Sequence, residues 1–539
     1  MKLLCTLLCC IALAPQLWAQ NRINWGPSHR DSRLFTRFTP LVLGADEQHY
    51  YLLFNSYRSR KINIQAFDFE HRQQSKIRPK LKTRRSQVMP LAFLPINGRW
   101  TSFVLQHDRG KRTNNLLMAQ VEGNKMGEFK TLFSYPAPQR LILRSRGLNT
   151  DVVNQIKLSE DKRRILFMST EGSTQRRADE ELLQLVVLDE NLNVLWRKTQ
   201  EFPFRDDKVV LHEGVVSNQG EVYVLAQVET MERGRFFPDY DFKVYKITAS
   251  DFSELKIDRD NDRIAMTYAG LDLSQDQQSL MVCGFYTDPR RLTLFEGGDS
   301  RGVFSTKINL SDQSTSLDTQ RFSVDFLQTM ISRRRANRGK GFHLNLKIIN
   351  QVHFDNGSRC LIAEARDFYS YEQWMPNNGG DGGSNQSFTD FHTDDLVLCF
   401  FDANGKIVNL RNVDKEFFTR RNYRMPRPQE NFSYSPYAVE FPEESSYLFQ
   451  VQGEQLALVY NDFKNRGERR AMGLRMGGIF SDVTVFDHQG QLLRKENLFS
   501  SWENRNFVLQ PRLSRASSQQ LILQTRRNNR MRVGLMPKP

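Results

Sequence analysis

Residues 395–410 read DLVLCFFDANGKIVNL. After Asp395 comes an unbroken apolar run, Leu396 to Phe401, then the turn Asp402-Ala403-Asn404-Gly405, then a second strand-like segment from Ile407. A short continuous apolar run bounded by turn residues predicts a strand buried on both faces. Asp bonds its own turn backbone, and Asn and Gly tolerate positive φ, so the segment folds back as a tight antiparallel hairpin.

The same pattern recurs outward from this point. Asp189-Glu190-Asn191 and Asp487-His488-Gln489-Gly490 are equivalent turns. The third strands of the units, several of which end in such turns, are Ile62–Phe67, Leu116–Val121, Leu182–Leu188, Phe242–Ile247, Gly302–Ile308, Asp395–Phe401, Ser481–Phe486 and Arg530–Leu535. Each follows another β-branched and aromatic strand: Tyr50–Leu53, Ser102–Leu105, Ile165–Met168, Val222–Ala226, Leu280–Cys283, Cys360–Ala363, Leu456–Tyr460 and Leu521–Gln524. Recurrence every ~45–75 residues marks a repeat architecture, and four antiparallel strands per unit repeated radially make a propeller. The expected fold is all-β, an eight-bladed β-propeller of four-stranded antiparallel blades, with a seven-bladed ring as the alternative. Residues 20–539 read as one domain. The eighth repeat runs out at Pro539 after three strands, so Asn21–Gly26, with Ile23 and Trp25, is expected to supply its fourth. Val324–Arg335 is expected to form a short helix at most.

The hairpins FDANGKIVNL (Phe401–Leu410) and LDENLNVLW (Leu188–Trp196) resemble the WD40-like and quinoprotein-like repeats of exported bacterial β-propeller proteins. The resemblance spans nearly the whole chain and implies the fold; many such proteins have no assigned function. The Trp-Asp dipeptide of true WD40 repeats is absent, as is the Ala-x-Asp-x-x-Thr-Gly docking pattern of quinone-binding dehydrogenases. No cofactor is therefore expected.

Met1–Ala19 reads as a cleaved signal peptide: Lys2, an apolar run Leu3–Ala14, and Leu17-Trp18-Ala19 as the cleavage site. Cys9 and Cys10 lack the small residues that precede a lipid-modified cysteine. No apolar stretch reaches the ~20 residues of a transmembrane helix. The expectation is export, to the periplasm, the outer membrane or the medium. Beyond the signal only Cys283, Cys360 and Cys399 remain. Buried free thiols are expected, with a Cys360–Cys399 bridge as the alternative.

With Lys and Arg at 76 against 61 Asp and Glu, the formal charge is +15. For an exported protein this implies an anionic glycan, lipopolysaccharide or an acidic protein as partner, and makes nucleic acid a poor one. The second-to-third connections carry arginines around the ring: Arg109 and Arg112, Arg176 and Arg177, Arg233 and Arg235, Arg290 and Arg291, Arg366, Arg469 and Arg470, Arg526 and Arg527. The links between blades add others, including Arg420 and Arg421. A planar guanidinium pairs bidentately with carboxylate, sulfate or phosphate. The alternative for these residues is pairing with neighbouring loop acids, worth only ~0–1 kcal/mol each.

The sixth repeat holds the longest insertion, Asp367–Asp394, read as a glycine-rich loop opening on Phe368, Tyr369, Tyr371 and Trp374. Its aromatics suit stacking on sugar rings or a protein anchor. Two function classes follow. The first is a non-enzymatic scaffold binding an anionic glycan or acidic protein through the arginine-rich face. The second is a polysaccharide lyase or glycosidase, with Tyr369, Tyr371 or His392 beside Arg366 as the weak catalytic candidates. A subunit of an envelope or secretion assembly is a third. Metal signals are poor: Asp258-x-Asp260-x-Asp262 lacks the Gly and Glu of a calcium loop, and Asp390, His392, Asp394 and Asp395 make only a sparse cluster. Gly298-Asp299-Ser300-Arg301-Gly302 matches the nucleophile-elbow pattern by letter but lies between β-strands, so it reads as chance.

Overall fold

The computed structural model describes residues 23–30, 41–56, 61–77, 86–108, 110–122, 125–136, 154–170, 180–205, 209–230, 239–258, 264–287, 300–338, 345–376, 383–421, 442, 444–463, 479–500, 507–517, 520–527 and 530–538. The signal-peptide reading of Met1–Ala19 lies outside them.

The strands form eight antiparallel sheets, each the next stretch of chain: 41–77, 86–136, 154–205, 209–255, 265–321, 345–421, 447–500 and 508–537. We number these blades 1 to 8. Within blades 1 to 7 the order follows the sequence, so the chain runs outward through each of them; in blade 8 the N-terminal strand lies outside the last one. Every second and third strand expected from the sequence is present. In place of one helix in 324–335 there are two short ones, Val324–Gln328, capped by Ser323, and Arg333–Asn337.

Closure of the ring is visible in the core. Eight apolar clusters occupy the eight interfaces between consecutive blades, including the one between the last and the first. There Val42, Tyr50, Leu52 and Phe67 of blade 1 pack with Ile522, Met531, Val533 and Leu535 of blade 8. A sheet sandwiched between two others has no solvent face, which explains the continuous apolar run in residues 396–401. Leu396, Leu398 and Phe400 face blade 7, while Val397, Cys399 and Phe401 face blade 5. The same alternation separates the thiols: Cys360 points toward blade 7 and Cys399 toward blade 5. No bridge can span the sheet, and Cys283, Cys360 and Cys399 are buried free thiols.

Turn chemistry is shared between blades. The Oδ1 atoms of Asp68, Asp189, Asp402 and Asp487 each accept the backbone N–H groups two and four residues on, at 2.7–3.0 Å. The left-handed position of this turn holds Gly405 (φ 85°) and Gly490 (φ 79°), but His71 and Leu192 in blades 1 and 3. The carboxylate cage therefore holds the turn even where a side chain opposes it.

Blade 8 is completed from the other end of the chain. Asn24–Trp25 pairs with Arg530–Pro537, Trp25 lying opposite Gly534, and His29–Arg30 continues the pairing. Trp25 packs edge-on against Phe499 of blade 7, centroids 5.2 Å apart. No helix among the described residues is long and apolar enough to cross a membrane.

Candidate functional site

Blade 6 departs most from the common plan. Its second and third strands, Arg359–Pro376 and Gly383–Phe401, stay paired far beyond the blade, from Arg359↔Phe401 to Pro376↔Gly383. The insertion read as a loop is thus a long β-hairpin, with 377–382 outside the described residues. Backbone pairing along it satisfies the peptide groups that a loop of that length would leave to water. The link to blade 7 adds a strand, Phe417–Arg421, alongside Thr389–Thr393. Where hairpin meets blade, the register shifts between Glu364 and Arg366. Such a bulge re-aims the strand above it.

Residues directly opposite each other in a sheet share a face, and neighbours along a strand alternate. One face of the extension therefore carries Tyr369, Tyr371, Phe388, Asp390, His392, Phe418 and Arg420. Tyr369 stacks on Tyr371 (5.7 Å, 22°), and Tyr371 on Phe388 (5.8 Å, 29°). The guanidinium of Arg420 lies 5.5–5.8 Å from the ring centres of Tyr371, Phe388 and Phe418. Asp390 holds it bidentately, accepting from Nε at 2.7 Å and Nη2 at 3.0 Å. His392 packs against Phe418 at 4.9 Å. Tyr369 and Trp374 are the most exposed aromatics here, at 66% and 60%.

The opposite face packs against blade 7 near its base and carries the exposed Trp374 farther out. Phe417 stacks on Phe463 at 5.3 Å, and Arg421 and Thr419 both bond Glu444. At the base a charged cluster is sealed from solvent. Glu364 accepts from Lys415 Nζ and, at 2.6 Å, from Arg366 Nε; Lys415 also donates to Thr393 at 3.1 Å. Burial pushes the Glu364 carboxyl up, but Lys415 and Arg366 outweigh it and hold the group below its ordinary value. Lys415 lies just before Phe417–Arg421, so this cluster fixes where Arg420 emerges.

These positions revise the sequence-based candidates. Arg366 is buried in a strand, bonded to Glu364 and Ser446, on the face opposite Tyr369, Tyr371 and His392. The constellation imagined for a lyase is split by the sheet. The cation that joins the aromatics is Arg420, legible in the sequence only as one of several link arginines. Burial, then the Asp390 carboxylate, push the Tyr371 hydroxyl up, which works against a tyrosinate base. Asp390 is committed to Arg420, and no three His, Cys, Asp or Glu side chains gather as a metal site among the described residues. Ser300 is buried and shares a hydrogen bond with Thr267 at 3.1 Å, so it is no exposed nucleophile. Among the other ring arginines, Arg112 and Arg527 are exposed and Arg526 half-buried. Arg109, Arg176, Arg177, Arg233, Arg235, Arg290, Arg291, Arg469 and Arg470 lie outside the described residues.

No family model and no curated protein sequence matches this chain. Among solved structures, it is similar to the WD40 domain of SCAP from fission yeast (10% identity, 96% of this chain and 98% of that one, TM-score 0.37). It is also similar to an ulvan lyase of a polysaccharide lyase family (11% identity, 95% and 96%, TM-score 0.35). A third is a protein of unknown function from Bacteroides caccae (10% identity, 68% and 94%, TM-score 0.26).

Proposed function

We propose that the protein is a non-enzymatic, exported scaffold that binds an anionic glycan through the aromatic face of its sixth blade. The observation carrying this reading is the stacked series Tyr369–Tyr371–Phe388 with Arg420 laid against it and held by Asp390. Aromatic faces accept the C–H side of a pyranose, and a guanidinium fixed in orientation recognises a carboxylate or sulfate without an entropic cost on binding. Asp390 occupies the Nε–H and one N–H of Nη2, which leaves the Nη1 pair and the second Nη2 N–H for a ligand acid. The formal charge of +15 supports an acidic ligand through long-range attraction.

The test is retention on immobilised sulfated and uronate glycans. Tyr369→Ala and Arg420→Ala should elute at clearly lower salt than wild type. Arg72→Ala removes the same charge at a 3–4 turn, the opposite end of a blade, and should elute near wild type. Equal losses in all three would reduce the interaction to net charge, and no loss in the first two would end the proposal.

A further inference from the structure

A second polar cluster lies at the other end of blade 6, between blades 5 and 6. His353 ends the innermost strand Asn345–His353, Arg359 begins the next strand directly opposite it, and Gln351 shares their face. This is the 1–2 turn end, opposite the long hairpin. Blade 5 contributes Asp272, Gly270 and Cys283. Asp272 Oδ2 lies 2.5 Å from His353 Nε2 and 3.6 Å from Arg359 Nη1, while its Oδ1 accepts the N–H of Leu273. Gln351 Oε1 accepts from Cys283 Sγ at 3.2 Å. The Gln351 Nε2 atom occupies the space over Gly270, where a Cβ would lie 2.5 Å away.

Open donors outnumber open acceptors. Arg359 is only 4% exposed, yet its Nε and Nη1 have no hydrogen-bond partner among the described residues, and neither has Gln351 Nε2; the open acceptors are Asp272 Oδ2, 3.6 Å from Arg359 Nη1, and, in the neutral ring, His353 Nδ1. Buried polar groups are ordinarily satisfied, and a guanidinium and an amide NH2 can only be satisfied by acceptors. Further charged groups lie nearby: Asp276, which accepts the Gln278 N–H at 3.0 Å and feels both Lys307 and Arg359, and Glu213, which acts on Cys283.

We propose that this cluster is a binding position for a small oxyanion, a carboxylate, sulfate or phosphate group. Arg359 supplies a charged planar donor and Gln351 a neutral one, while Asp272 fixes His353 beside them. The position is independent of the hairpin face and of any glycan bound there.

The experiment is thermal unfolding of the full chain against rising sulfate, inorganic phosphate or acetate, with chloride at matched ionic strength. A ligand that binds only the native state raises the midpoint with a saturable dependence on concentration. The expected result is such a rise with at least one oxyanion, which identifies the class, and none with chloride. Arg359→Gln should weaken that binding by about tenfold or more, through loss of a charge-assisted pair. If Arg359→Gln does not fold, Gln351→Leu serves, with an expected weakening of roughly threefold or more. Arg72→Ala, at an exposed turn of blade 1 outside both sites, should keep the full response, which separates this site from general surface charge. No saturable rise in the wild type, a rise equalled by chloride, or an undiminished rise in both Gln351→Leu and Arg359→Gln overturns the proposal.

Discussion

Asp462 of blade 7 accepts the backbone N–H of Glu416, in the link from blade 6, at 2.9 Å, and the N–H of Phe463 returns to the Glu416 carbonyl at 3.1 Å. This reciprocal pair ties the strand bearing Arg420 to the next blade. It also places a carboxylate where water is scarce.

Burial first, and the neighbouring Asp482 second, raise the Asp462 pKa to about 6; Lys495 and Lys415 oppose them. The native state therefore holds this proton more tightly than the unfolded chain, whose value is ordinary. The resulting stabilisation is complete below the ordinary carboxylate range and is lost as pH rises through about 6. Asp462→Asn should flatten that part of the stability profile and leave the variant the more stable form at pH ~7.5. Urea unfolding at several pH values checks this; a variant profile parallel to wild type excludes the assignment.

Glu364 and Lys415 are both fully buried. Removing one member of such a group costs about 3–5 kcal/mol for Glu364→Gln, which deletes the carboxylate that Lys415 and Arg366 share. Lys415→Met should cost less, about 1–3 kcal/mol, because Arg366 still neutralises Glu364. Chemical denaturation gives the order, and the reverse order would show that Arg366 does not share the charge.

Tyr371 separates scaffold from enzyme. Tyr371→Phe keeps the ring stacked between Tyr369 and Phe388 and deletes only the hydroxyl beside Asp390. Glycan retention should stay within about twofold of wild type, whereas Tyr371→Ala should lose tenfold or more. A glycan-cleaving activity present in wild type and abolished by Tyr371→Phe would replace the scaffold reading with a lyase.

Gly534 has a steric duty at the seam. A Cβ there would meet the Trp25 ring at 2.6 Å and Ile23 at 2.7 Å, so Gly534→Ala must displace these side chains and should weaken the pairing of the N-terminal strand. Trp25 also lies 5.1 Å beneath the Arg532 guanidinium. Trp25→Ala should cost up to about 3 kcal/mol. Both variants should become susceptible to proteolysis near residue 30 under native conditions. Resistance equal to wild type would mean that the ring closes without this strand.

The sequence by itself determined the ring. An apolar run such as Leu396–Phe401 and a turn such as Asp402–Gly405 act within a single hairpin, so their consequences are written locally and repeat with each blade. The identity of the site was not written that way. Arg366 and Arg420 look alike as letters, but strand alternation puts one on the buried face beside Glu364, and pairing across 30 residues lays the other against Asp390 and the tyrosines. Asp272, His353 and Arg359 likewise meet only because two blades stack. Side-chain direction at such places depends on strand register and on packing between separate sheets, and only the tertiary structure fixes those.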